Sequence, residues 1–403
     1  MTATQHRLLP LAASVLWAVG LGVHAQSEWP RFRGPNGAGL GQATHLPAQW
    51  EAEDALWNVT LPGSGHSSPV VHGRRLYVNG AASNGESALT MALDADTGRL
   101  LWQRAFPGGG FRIHRNNSFA SSTPAVDEHH VYVTHQHADR LFLHALDHEG
   151  RDVWQFPLGP VQSQHGLAHS PIVHDGRVIL SLDTINPGRI VALEARSGRL
   201  LWEVPRSPGR ADYSTPCVIT NRAGQPRLVF NSQEDGITAV DPTTGRVVWQ
   251  SGKVLDKRSV SSPIQVAGLL ISTCGSGGGG NYVVALRPPK TPAARPEIAW
   301  TIRRSAPYVP TPIAVDGLLF LWSDGGVVTC VEPATGRELW RRRVGGDYFS
   351  SPVCADGKIY NLSTTGRLVV LAAGREFRRL GETGLGEGGH ATPAIAHGRL
   401  YVR

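Results

Sequence analysis

Histidine, arginine, asparagine and tyrosine recur at one kind of place in this chain, just ahead of a Ser/Thr-rich step that ends in proline. His66, the run His114-Arg115-Asn116-Asn117, His165, His169, Asp212-Tyr213, Lys257-Arg258, Tyr308, Asp347-Tyr348 and His390 all stand there. Such imidazole, guanidinium, amide and phenol groups, brought together by several loops, would hold a small polar ligand, an anion or a sugar, by hydrogen bonds. The same positions would also arise as wetted loop residues without a ligand, because rims are polar through solvation alone. If the loops converge, His66 meets His390 and His114 meets His165, and paired imidazoles suit a transition metal. No cysteine or carboxylate spacing completes such a set, so no metal is assigned. His129, His130, His135 and His137 form another cluster; on a strand His135 and His137 share a face, which reads as solvent-facing.

Motifs for covalent or redox chemistry are missing. G-x-S-x-G and H-E-x-x-H do not occur. Gly275–Gly280 spells G-x-G-x-x-G, but the β-rich run Asn281–Leu286 follows where a dinucleotide site needs a helix, so the glycines read as a flexible loop. Cys217, Cys274, Cys330 and Cys354 are widely spaced, form no C-x-x-C, and read as small buried hydrophobes in strands.

The elements that would position the polar residues come from internal repeats. Eight markers, Pro69, Pro124, Pro171, Pro216, Pro263, Pro312, Pro352 and Pro393, are spaced 40 to 55 residues apart. An apolar run, a turn and a second β-rich run follow each marker. Then comes a third strand, a turn with glycine, and a strand ending in tryptophan, as in Ala92-Leu93-Asp94-Ala95-Asp96-Thr97-Gly98-Arg99-Leu100-Leu101-Trp102. Four short strands at this pitch predict an all-β fold, an eight-bladed β-propeller with four-stranded antiparallel blades. Trp57, Trp102, Trp154, Trp202, Trp249, Trp300 and Trp340 are expected to wedge neighbouring blades, with Phe377 in that role in copy seven. The eighth copy shows two strands and no tryptophan strand, whereas Ala55–Val59 looks like a tryptophan strand without a partner; this N-terminal strand is expected to close blade eight. In a propeller the loop ahead of the innermost strand forms the funnel rim, which is where the polar residues fall.

Composition agrees. Gly (47) and Pro (28) are too frequent for a coiled coil, and 41% apolar residues with 18% charged exclude a disordered chain. The excess of 39 Lys+Arg over 32 Asp+Glu is almost entirely arginine scattered through turns, without the clustered stripe that nucleic-acid binding needs. After the N-terminus no apolar run approaches the ~18 residues of a membrane span. Residues 1–25 read as an export leader, with a basic start at His6-Arg7, the apolar stretch Leu8–Val23 and a cleavage point after Ala25. Residues 26–54 read as an N-terminal arm and 55–403 as the propeller. A monomer that does not span the membrane after cleavage, periplasmic or secreted, is expected.

The pattern A-x-D-x-x-x-G-x-x-x-W, full in Ala92–Trp102 and Ala239–Trp249, resembles the tryptophan-docking motif of quinoprotein propellers. With Trp29-Pro30-Arg31-Phe32-Arg33-Gly34-Pro35-Asn36-Gly37, residues 28–403 resemble exported bacterial PQQ-binding-like β-propeller repeat proteins. The resemblance implies the fold, and it implies PQQ with calcium as cofactors if the chain is a dehydrogenase. The chain has no adjacent Cys pair, and the Glu, Asn and Asp set of those enzymes is not recognised in it. It also resembles the propeller lipoprotein of outer-membrane assembly, without a cysteine near the cleavage point. The expectation is an exported non-catalytic scaffold of the cell envelope, holding a small polar ligand or an envelope protein and needing no cofactor. The alternative is a PQQ-dependent quinoprotein dehydrogenase that oxidises an alcohol or sugar.

Overall fold

Alternating apolar residues between glycine turns fold each repeat into one antiparallel blade. In blade one these strands are Val70–His72, Arg75–Ala81, Ser87–Asp94 and Leu100–Pro107, paired in that order. This is a computed structural model, and it describes residues 14–19, 28–82, 85–221, 223–291 and 294–403. Among them the strands form eight four-stranded sheets. Seven blades are continuous in sequence, and the innermost strand of blade one lies against that of blade eight, Ala394–Ala396, so the ring closes.

The repeat motif explains how the blades hold one another. Trp57, Trp102, Trp154, Trp202, Trp300 and Trp340 each donate their indole N–H to a carbonyl of the next blade at 2.8–3.2 Å. Trp249 packs on the core between blades four and five. The motif glycine does more than relax the turn: a Cβ on Gly98 would lie 2.6 Å from the Trp57 ring, so the indole needs a bare backbone beneath it. The alanine of the motif faces its own blade's tryptophan across the sheet, as Ala92 faces Trp102, and a register shift after it twists the outer strand.

A second device circles the channel. At six of the eight markers the residue ahead of the proline donates its backbone N–H to the hydroxyl of its counterpart in the next blade. Ser68 donates to Thr123, Thr123 to Ser170, Ser262 to Thr311, Thr311 to Ser351, Ser351 to Thr392 and Thr392 back to Ser68, all at 2.9–3.1 Å. The Ser/Thr steps therefore satisfy inner-strand backbone groups, which would otherwise be buried without partners.

Two expectations change. Phe377 does not take the tryptophan place in blade seven; it packs edge-on against Trp340, with centroids 5.3 Å apart. Gly381 stands at that place, opposite Val370, because the arm crosses there and a Cβ would fall 2.1 Å from the Ala48 carbonyl oxygen. Blade eight has all four strands: Trp57–Leu61 closes it as expected, and Ser14–Val19 lies between that strand and Arg399–Val402. The expected cleavage point after Ala25 lies outside the described residues.

Candidate functional site

The loops ahead of the markers converge on a cavity of about 770 Å³ at one mouth of the channel. His66, His114, Arg115, Asn117, His165, Arg258, Tyr213, Tyr308 and His390 line it. His66 and His390 meet across the ring closure with ring centroids 4.0 Å apart, and His114 and His165 meet at 4.7 Å, both as the sequence predicts. Asn116 and Asp347 line the cavity too, whereas Asp212, His169 and Tyr348 point away from it. Asp212 is buried and accepts the backbone N–H groups of Ser259 at 2.5 Å and Gln233 at 2.8 Å. His169 is buried against Tyr213 at 5.4 Å, and Tyr348 packs on Trp322 at 5.1 Å. Position in a repeat fixes which loop a residue occupies, but not whether its side chain turns inward to the core.

The cavity wall is chemically two-sided. On one side the Arg258 guanidinium donates to the Ala211 carbonyl at 2.7 Å and to Gln164 Oε1 at 2.5 Å, and lies 3.3 Å from His165 Nε2. Burial, then Arg258 and His114, pulls the His165 imidazole down to about 4, so this wall holds a neutral ring beside a fixed cation. Burial and His390 pull His66 down to about 3. On the other side stand Asp347, which the sequence places at the rim, and Asp324, which it does not. Asp324 accepts the N–H groups of Tyr308 at 2.7 Å and Val309 at 3.1 Å, and burial raises its carboxyl. The glycine loop read as free from sequence also reaches this rim, where Gly279 accepts from Lys257 Nζ at 2.7 Å.

The far side of the channel is stoppered by the arm. Phe32 lines the floor of the cavity. Around it Arg31 donates to the Pro216 carbonyl at 2.5 Å, and Arg33, fully buried, donates to the carbonyls of Pro312 at 3.1 Å and Pro352 at 3.3 Å. Trp29 pairs with Val71, the Pro30 carbonyl accepts from Val126 N–H at 2.8 Å, and Asn36 exchanges two 2.7 Å bonds with Val218. The run Trp29–Gly37 thus joins blades one, two, four, six and seven. The sequence shows the run but not this task, since the partners are backbone carbonyls hundreds of residues away.

Calcium takes six to eight oxygens. The funnel offers two carboxylates, and the Asp324 oxygens are already engaged. Among the described residues no three His, Cys, Asp or Glu side chains gather around a metal position. These donors do not fit a PQQ–calcium pair. The second histidine cluster divides: His137 is exposed, whereas His135 is buried, stacked between Phe106 at 4.8 Å and Phe142 at 5.2 Å, against the solvent-facing expectation. Phe106 belongs to blade one, so the neighbouring blade covers that face.

Among known proteins, BamB of Yersinia pestis is 23% identical over 359 residues, which is 86% of this chain and 75% of that protein. The quinoprotein alcohol dehydrogenase PedH of Pseudomonas putida is 36% identical over 137 residues, 32% of this chain and 22% of its own length. The fold matches crystalline BamB of Moraxella catarrhalis with a TM-score of 0.57 at 16% identity, covering 88% and 95% of the two chains. A europium-containing methanol dehydrogenase matches with a TM-score of 0.65 at 12% identity, covering 91% and 87%. The pattern defining the outer membrane protein assembly factor BamB family matches residues 49–232, 143–292 and 233–403. On a ring of quinoprotein-like repeats matched over nearly its whole length, this chain belongs to that BamB family of β-propellers.

Proposed function

We propose that the chain is a non-catalytic propeller of the cell envelope, a scaffold whose funnel holds a small anionic ligand. The observation that carries this reading is the blind cup itself. Its wall has a fixed guanidinium and neutral imidazoles, and Phe32 lines the cup on the side of the arm. Such a wall suits binding and orienting an anion. The kinship with assembly factors supports a role beside other envelope proteins, with the blades as a rigid frame. Among the described residues no helix is long and apolar enough to cross a membrane.

The likeness to PedH favours a second reading, a quinone-dependent alcohol dehydrogenase. One experiment separates the two. The full chain is mixed with PQQ and Ca²⁺, and both the bound-quinone absorption and ethanol-dependent dye reduction are followed. The scaffold reading expects no reduction above background; turnover would overturn it. In a parallel titration with citrate as an anionic probe, saturable binding is expected, weakened at least tenfold in Arg115→Ala. Citrate binding that is absent, or indifferent to Arg115, would remove the anion site.

A further inference from the structure

Blade eight is the one blade assembled from three separate stretches of chain. Its inner strands are Ala394–Ala396 and Arg399–Val402, its outer strand is Trp57–Leu61, and Ser14–Val19 fills the third position. In blade three the third strand, Gly188–Glu194, is tied to Arg177–Leu182 and Leu200–Arg206 by short links. In blade eight Ser14–Val19 is more than thirty residues from Trp57–Leu61 and hundreds from Arg399–Val402 in sequence, so main-chain bonds and side-chain fit hold the strand in its seat.

The fit follows the repeat register. Ala18 lies opposite Tyr401 on one side and Trp57 on the other. Ala92 lies opposite Tyr77 and Trp102 in blade one, and Ala145 opposite Tyr132 and Trp154 in blade two. Blades three to six place Ala192, Ala239, Ala285 and Cys330 opposite their own tryptophans. A small side chain is required because the tryptophan and the inner-strand residue crowd the same face; the Trp57 and Tyr401 rings stand 6.0 Å apart. Leu16, two residues earlier on that face, is buried, as is Ala18. Ala18 also accepts the Leu56 N–H through its carbonyl at 2.9 Å.

The occupant has a second reading. Ser14–Val19 lies inside the stretch that the sequence reads as an export leader, and one segment cannot both be removed and complete the blade. We infer that the third position of blade eight is a strand-acceptor site. It recognises an extended peptide with a small residue at the place that Ala18 fills between Trp57 and Tyr401, and Ser14–Val19 is its exchangeable occupant. The chemistry is strand addition between two open edges: main-chain bonds on both sides give affinity, and the tight place between Trp57 and Tyr401 gives selectivity. The partner is therefore a protein segment in extended conformation, not a small molecule.

The test uses the full chain and a fluorescein-labelled octapeptide with the sequence of Ser87–Asp94, which carries the third-strand pattern. In Ala18→Arg the guanidinium does not fit beneath Trp57, so hydrogen exchange should show the Leu16 and Ala18 amides unprotected. Fluorescence anisotropy should show the peptide binding this variant at least tenfold tighter than wild type. A control peptide carrying Ala92→Arg should bind at least tenfold more weakly. Equal binding of both peptides, equal binding to both proteins, or persistent protection in Ala18→Arg overturns the inference. If Ala18→Arg does not fold, wild type is digested with and without excess peptide. Cutting within residues 14–27 that speeds up with the Ser87–Asp94 peptide, and not with the control, supports exchange; an unchanged rate refutes it.

Discussion

At one mouth of the channel, loops ahead of the marker prolines leave an open cup lined with arginine and histidine; at the other, the same inner strands are sealed by the arm. Both ends use arginine, in opposite ways. Arg115 at the mouth is exposed, whereas Arg33 at the sealed end is fully buried and bonded to backbone carbonyls from two blades. A buried cation is costly unless hydrogen bonds offset its lost hydration, and Arg33 gains them where the ring presents carbonyls toward its axis, through Nη1 and Nη2. Repeated geometry supplies that array at the sealed end, and it leaves the mouth free to vary.

The contrast would break most visibly at Arg33. Arg33→Ala leaves buried carbonyls from blades six and seven without this donor and should lower unfolding free energy by roughly 3 kcal/mol or more, read from urea midpoints. A loss below 1 kcal/mol would mean that the arm is not a stopper. Two residues of the rim loops also titrate in opposite senses. Burial and Asp183 lift the Asp212 carboxyl from 3.8 to about 7, so its folded form keeps a proton that the unfolded form releases. Its stabilising share is complete below about pH 4 and is lost as pH rises through 7. His66, held near 3 when folded against 6.5 unfolded, acts in reverse: its share is complete above pH 6.5 and is lost as pH falls toward 3. His66→Gln should therefore flatten, and Asp212→Asn steepen, the loss of stability on acidification, each by about 1.4 kcal/mol per pH unit within its window. Parallel pH curves for both variants and wild type would refute this. Next in size, Asn36→Ala gives up two bonds to blade four and should cost about 1 kcal/mol in the same urea assay. The smallest effect belongs to the open end, where Arg115→Ala should shift stability by less than about 0.5 kcal/mol. A larger shift would show that the mouth, too, is structural.

The blades were legible because a repeat multiplies its evidence. The spacing of Pro69 to Pro393, the turn glycines and the tryptophans all name the same fold, and Trp57 was readable as the closing strand. The rim was legible by loop: eleven of its fifteen positions line the cavity, while Asp212, His169 and Tyr348 turn inward and Lys257 bonds to Gly279. What stayed hidden depends on contacts with no local signature. Arg31 and Arg33 were legible only as part of the run Trp29–Gly37, because nothing nearby in sequence announces a backbone carbonyl at Pro216 or Pro352. Phe377 misled for a related reason, since the passing arm, not a side chain of the repeat, occupies the tryptophan place beside Gly381. Asp324 took no part in the predicted site because it lies in a hairpin turn after the inner strands, not in the loop before a marker.

The stopper also bears on the order in which the molecule assembles. Arg31 reaches its acceptor across 185 positions and Arg33 reaches Pro352 across 319. The arm is synthesised before every blade it docks on, yet its acceptor at Pro352 is made only when blade seven begins. Until then Trp29, Phe32 and two unsatisfied guanidinium groups must wait in solvent, while every later blade folds past them. Contacts of such span slow folding and lengthen exposure to aggregation. Newly made chains should therefore stay vulnerable until nearly all of the sequence has been synthesised.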